Sequence, residues 1–205
     1  MNDRPDPAVP AFEFWFDVGS AYSYIAWRAL PDLERRTGAR AVLRPMLLGG
    51  VFKATGNRSP VEVAAKGRWT WTDLPRWAAK LGVPYVPNPW FPVGTLLLMR
   101  GAAGLRLRDP QALPGYLDAM FDAMWAQGRN LGDPAEVGAV LAAAGMDPKA
   151  LLALAEDPQV KDALRRDTEE AVARGVFGAP SFFVGDELFF GQDRMDFVAD
   201  ALAGR

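Results

Sequence analysis

Gly175-Val176-Phe177-Gly178-Ala179-Pro180-Ser181-Phe182-Phe183-Val184-Gly185 holds the end of a helix, a turn, a proline-led strand and a second turn. An X-Pro bond gives up most of the trans preference, so a cis bond is expected between Ala179 and Pro180, where a tight turn enters a strand. Pro180 has no N–H and breaks the ladder beside it, which leaves the Ala179 N–H and C=O without a strand partner. Those two groups are placed to pair with an extended, peptide-like ligand as an added strand would. The same residues are also consistent with a proline that only punctuates a loop before a strand.

The 205 residues include no cysteine and no histidine. Without cysteine there is no dithiol chemistry, and any reactive sulfur must come from a ligand. Without histidine there is no Ser-His-Asp or Cys-His nucleophile, no histidine base, and no route to most zinc or non-haem iron ligand sets. No dense acidic loop of the calcium type and no phosphate-binding or hydrolase motif is present. The 23 basic side chains face 25 acidic ones, so no net positive field exists to gather phosphates and nucleic acid is not an expected partner. No run approaches the roughly 18 apolar residues of a membrane helix. Met1 to Pro10 is polar and proline-rich and reads as a flexible tail, not a signal. The expectation is a cytoplasmic protein with no membrane partner, and a chain that is 50% hydrophobic has ample material for a core.

Working backwards from Gly175, the spacing predicts β-α-β, a long helical stretch, and then α-β-β-α. Phe12 to Phe16 reads as a buried strand. Asp17-Val18-Gly19-Ser20 turns into a helix that runs to about Thr37, with Ser20 at the N-cap and Gly38 beyond the end. Ala41 to Met46 is a second strand, parallel to the first by the right-handed crossover rule. Asp109-Pro110, Asp133-Pro134, Asp147-Pro148 and Asp157-Pro158 each mark a helix start, and Ser59-Pro60 and Thr72-Asp73 mark two more. Val83 to Pro92 is too rich in proline to be helical. Ser181 to Val184, a Gly185-Asp186 turn and Leu188 to Phe190 form a hairpin. A last helix, Arg194 to Leu202, is expected to bury Met195, Phe197, Val198 and Leu202. This is an α/β chain of thioredoxin topology, with residues 11–50 and 165–205 as a discontinuous thioredoxin-like domain. Residues 51–164 form the inserted helical domain, and residues 1–10 the tail.

Asp17-Val18-Gly19-Ser20-Ala21-Tyr22-Ser23-Tyr24, Leu48-Gly49-Gly50-Val51-Phe52-Lys53 with Gly56-Asn57, the Gly175 to Pro180 stretch, and Gly191-Gln192-Asp193-Arg194 occur in that order. Together they resemble the 2-hydroxychromene-2-carboxylate isomerases, relatives of the kappa-class glutathione transferases and DsbA-like proteins. The likeness extends from about Phe12 to Leu202. It implies glutathione as cofactor, an aromatic substrate and a homodimer. By the same resemblance, Ser20 matches the catalytic serine, and Ala179 beside Pro180 matches the backbone that pairs with the cysteinyl unit. Gln192 and Asp193 match the pair at the γ-glutamyl end. Asn57 and Lys53 match residues that line the cleft from the helical domain; Tyr22 and Asn57 are read as glutathione-binding, and Lys53, with Trp90 from the aromatic cluster, as substrate-pocket residues. The family usually has proline after the serine, where this chain has Ala21.

From the residues alone, a serine without histidine is a poor nucleophile but a good hydrogen-bond donor. At a helix N-terminus Ser20 is suited to donate to an anionic sulfur, or to serve as a plain cap. Asp193 likewise reads as a cap or as a partner for a ligand ammonium. Lys53 and Lys66 also fit solvated surface lysines. The aromatic residues Trp69, Trp71, Trp77, Tyr85, Trp90 and Phe91 fit helix packing or the wall of an apolar pocket. The expected activity is glutathione-dependent cis–trans isomerisation of a 2-hydroxychromene-2-carboxylate-like aromatic 2-oxo acid. A kappa-like glutathione transferase and a non-catalytic thioredoxin-like module that binds glutathione or a peptide are the alternatives.

Overall fold

A computed structural model describes residues 9–205, so most of the sequence's N-terminal tail lies outside the described residues. The first strand, β1 (Ala11–Phe16), is the centre of the architecture because its two faces enter two different cores. Phe12, Phe14 and Phe16 point one way into the main cluster, and Trp15 points the other way toward Phe183. α1 (Ala21–Thr37) follows and ends at Gly38, whose φ of 69° is the left-handed conformation expected of a C′ glycine. β2 (Arg40–Pro45) pairs parallel to β1, with Phe14 opposite Leu43.

α2 (Leu48–Thr55) leads by a short 3₁₀ turn (Pro60–Glu62) into the helical stretch of α3 (Ala64–Leu81), α4 (Leu96–Arg108) and α5 (Leu113–Phe121). α5 continues as a π-helical turn (Asp122–Ala126), and α6 (Pro134–Ala143), α7 (Pro148–Glu156) and α8 (Pro158–Ala173) complete it. β3 (Ser181–Val184) and β4 (Glu187–Phe190) then form the hairpin, and α9 (Met195–Leu202) closes the chain. The sheet order is β2-β1-β3-β4, with β3 antiparallel to both neighbours.

Three of the four Asp-Pro pairs start helices as expected. The carboxylates of Asp133, Asp147 and Asp157 accept the N–H two residues on, at 2.9, 2.9 and 2.8 Å. Asp109-Pro110 does not. Its N–H bonds back to the Leu105 carbonyl, so Asp109 terminates α4, and α5 begins only at Leu113. Thr72-Asp73 is no helix start either. α3 runs through it unbroken, because the Thr72 hydroxyl returns to the Arg68 carbonyl and the Asp73 side chain finds a partner outside the helix. Ser59-Pro60 opens the 3₁₀ turn with a capping box to Glu62, not a long helix. On α9, Met195 and Val198 are buried but Phe197 is exposed, since a residue two places from Met195 cannot share its helix face.

Behind the sheet, Asp167 of α8 is buried between Arg106 of α4 and Arg44 of β2. The Arg44 guanidinium also stacks 4.4 Å from the Trp15 ring centre. This paired charge cluster ties the helical layer to the sheet on the face that carries Trp15.

Candidate active site

The turn from β1 into α1 places Ser20 at the helix N-terminus with an extended backbone. Its oxygen accepts the Ser23 N–H at 3.1 Å while its proton is donated to the Ala179 carbonyl at 3.0 Å. A hydroxyl has one proton and two acceptor lone pairs, so Ser20 caps the helix and still keeps a proton to donate. The cap and the donor are therefore compatible roles of one side chain.

Ala179 meets Ser20 from the far end of the chain, in the turn that leads into β3 at Ser181, and the Ala179–Pro180 bond is cis. Phe91–Pro92 is a second cis bond, in the proline-rich stretch after α3. Among the described residues the Ala179 N–H donates to no partner. The Pro180 carbonyl accepts the Gly191 N–H at 2.9 Å, which pins the start of Gly191-Gln192-Asp193 beside the turn. Gly191 has a φ of 103°, and a side chain there would meet the Asp193 carboxylate at 2.5 Å, so a glycine is required. The Asp193 carboxylate is solvent-facing and pairs with Arg194 at 2.8 Å.

Tyr22, on the first turn of α1, donates its hydroxyl to the buried Asp73 carboxylate of α3 at 3.0 Å. Burial first, and then the Asp73 carboxylate, push the Tyr22 phenol well above its ordinary range, and the Asp193 charge adds in the same direction. Tyr22 is thus a neutral donor across the physiological range, lying between Asp73 and the field of Asp193.

The Ser20–Ala179 and Gly191–Pro180 bonds bring the turns that carry Ser20, Ala179, Pro180, Gln192 and Asp193 to the end of β1 that pairs with the start of β3, with Tyr22 on the first turn of α1. Asn57, just beyond α2, joins them indirectly. Its amide donates to the Phe177 carbonyl at 2.8 Å, two residues before Ala179. Lys53 is exposed in the last turn of α2 and makes no ion pair among the described residues. Trp90 is 58% exposed, and its backbone N–H donates to the Asn88 side chain at 2.9 Å; among the described residues no hydrogen bond connects it to the Ser20 group. Of the other aromatics, Phe91 is wedged between Trp71 and Trp125, at 5.5 and 5.7 Å, as packing.

Residues 11–203 match the family model of the DsbA-like thioredoxin domain. The chain belongs to the DsbA-like thioredoxin family. Within this DsbA-like family it is 35% identical to the 2-hydroxychromene-2-carboxylate isomerase of Sphingobium xenophagum, over 93% of this chain and 96% of that one. It is 30% identical to glutathione S-transferase kappa 1 of Caenorhabditis elegans, over 96% of this chain and 92% of the other. A solved 2-hydroxychromene-2-carboxylate isomerase superposes with a TM-score of 0.83 at 26% identity, covering 95% of both chains. The DsbA-like protein described here is accordingly an enzyme of the isomerase type. No helix among its described residues is long and apolar enough to cross a membrane.

Two site residues of this DsbA-like enzyme are absent from the sequence reading as functional groups. Asp73 reads as a helix start, but it lies on the buried face of α3 at helical spacing with Gly67, Thr70, Leu74 and Ala78. Asp17 reads as a turn residue, yet it is wholly buried. A carboxylate flanked by Phe16 and Val18 at a strand end is the cue, since such a group must find donors nearby.

Proposed function

We propose that this enzyme is a glutathione-dependent cis–trans isomerase of aromatic 2-oxo acids of the 2-hydroxychromene-2-carboxylate type. The observation that carries the reading is the 3.0 Å bond between the Ser20 hydroxyl and the Ala179 carbonyl, at a helix N-terminus and beside an Ala179 N–H that has no partner among the described residues. In a chain without cysteine or histidine, these groups have no other evident chemistry.

The donor set fits glutathione. The Ala179 N–H and C=O suit the cysteinyl backbone, and the solvent-facing Asp193 carboxylate suits the γ-glutamyl ammonium. Asn57 is held at the Phe177 carbonyl, two residues before Ala179. Bound glutathione would supply a nucleophilic thiolate for reversible addition to the enone, the chemistry that a cis–trans rotation about its double bond needs. Ser20 donates a hydrogen bond to the sulfur while the first N–H groups of α1 stabilise its charge. One such charge-assisted bond contributes roughly 1.5–3 kcal/mol, which corresponds to about one to two pH units in the acidity of the thiol. That places much of the thiol in its ionised form near neutrality. Tyr22, one turn into α1, stays neutral and keeps its proton on the Asp73 carboxylate.

Conversion of one substrate isomer to the other, with glutathione required and its concentration constant, is the expected result. Formation of a stable conjugate with loss of glutathione would favour the transferase reading, which rests on the likeness to the kappa transferase. No turnover of either kind across a panel of aromatic 2-oxo acids would remove the proposal.

A further inference from the structure

Asp17 is a charged side chain with no exposed surface, three residues before Ser20. One of its oxygens accepts the Gly19 N–H at 2.8 Å. The other accepts the Leu48 N–H at 2.8 Å and the Thr95 hydroxyl at 3.1 Å. Gly19 lies inside the Asp17–Ser20 turn, Leu48 is the first residue of α2, and Thr95 is the N-cap of α4. The Asp17 carbonyl meanwhile accepts the Ser20 N–H at 3.0 Å. All the side-chain partners are donors, an arrangement suited to a carboxylate and not to a neutral amide. The junction is also tight. A side chain at Gly19 would lie 2.8 Å from the Thr95 methyl and 3.3 Å from the Asp17 carboxylate.

We infer that Asp17 is a positioning residue of this enzyme: its carboxylate clamps the Asp17–Ser20 turn to the starts of α2 and α4, and so fixes the Ser20 hydroxyl opposite Ala179. The clamp also holds Ser20 in one frame with Lys53 of α2 and with Asn57 just beyond it. The inference rests on the proposed role of Ser20 toward a bound thiol. Asp17, with no exposed surface, is out of reach of a ligand. Its effect on the reaction passes entirely through the placement of the turn.

Thr95→Val is the decisive variant, because it is nearly isosteric, removes one donor from the clamp and leaves every charge in place. Amide exchange at Gly19 and Leu48 in the free enzyme, and titration of the thiol of bound glutathione, are measured together. Thr95→Val is expected to exchange at both amides about tenfold faster and to lower the thiolate fraction at neutral pH about two- to fivefold. Thr95→Ser, which keeps the hydroxyl, should restore both. Asp17→Asn must set an amide NH₂ against one of the two backbone N–H groups and is expected to lose protection at that amide. If the wild type binds glutathione but Thr95→Val exchanges and titrates like it, with only a lower Tm, the residue is merely structural and the inference fails alone. If the wild type binds no glutathione, the functional proposal falls, and the exchange rates still decide the clamp. Unchanged rates in Thr95→Val overturn it.

Discussion

Ser20 and Ala179 stand 159 positions apart in the chain, yet the hydroxyl of one donates to the carbonyl of the other at 3.0 Å. A ligand thiol that takes the Ser20 proton competes with this bond, while the ligand backbone takes over the Ala179 N–H. Saturating glutathione is therefore expected to slow hydrogen exchange of the Ala179 amide about tenfold or more. An Ala179 amide that exchanges at the same rate with and without glutathione would show that the ligand does not add to this edge.

Asp193→Ala tests the γ-glutamyl end. The contact is made equally in ground and transition states, so the KM for glutathione should rise roughly tenfold or more while kcat changes by less than about threefold. An unchanged glutathione affinity by calorimetry, in a folded variant, would reduce Asp193 to a partner of Arg194.

The Tyr22–Asp73 bond joins α1 to α3 and makes its own prediction. Tyr22→Phe leaves the Asp73 carboxylate buried without its O–H donor and is expected to destabilise the fold by roughly 1–3 kcal/mol. Replacing both partners, as Tyr22→Phe with Asp73→Leu, should recover most of that loss. Urea unfolding of the two variants checks it, and an additive double variant would contradict the direct pairing.

Acid stability has a localised contribution at the start of α8. The Gln159 N–H, followed by Arg108, holds the Asp157 carboxyl below the ordinary value of 3.8. Because the folded pKa lies below the unfolded one, this contribution is complete above about pH 4 and is lost as pH falls through the folded value. Asp157→Asn keeps a capping acceptor but cannot titrate, so its stability should fall less steeply between pH 5 and pH 2. An acid limb identical to that of the wild type would exclude Asp157 from the effect.

Much of this fold is legible because its signals are local. Ser20 and Gly38 bracket α1 with their own backbone conformations, the Gly185-Asp186 turn sets the β3–β4 hairpin, and three Asp-Pro pairs cap three helices in place. The errors fall where a distant partner overrides a local preference. Asp109 gives its N–H back to Leu105, and Asp73 turns from capping to meet Tyr22, 51 positions away. Of the site, Ser20, Ala179, Pro180, Gln192 and Asp193 are readable as turn and cap residues that converge. The flanking Phe16 and Val18 signal that Asp17 is buried and needs donors, but not that these are Leu48 and Thr95, 31 and 78 positions away.

The central claim is that Ser20 is a hydrogen-bond donor to a bound thiolate. Thiolate absorbance of bound glutathione, followed against pH in the wild type and in Ser20→Ala, tests it most directly. The account predicts that Ser20→Ala still binds glutathione but ionises its thiol about one to two pH units higher, with the pH–rate profile moving the same way. Superimposable titration curves for the two proteins would contradict it and leave Ser20 a helix cap.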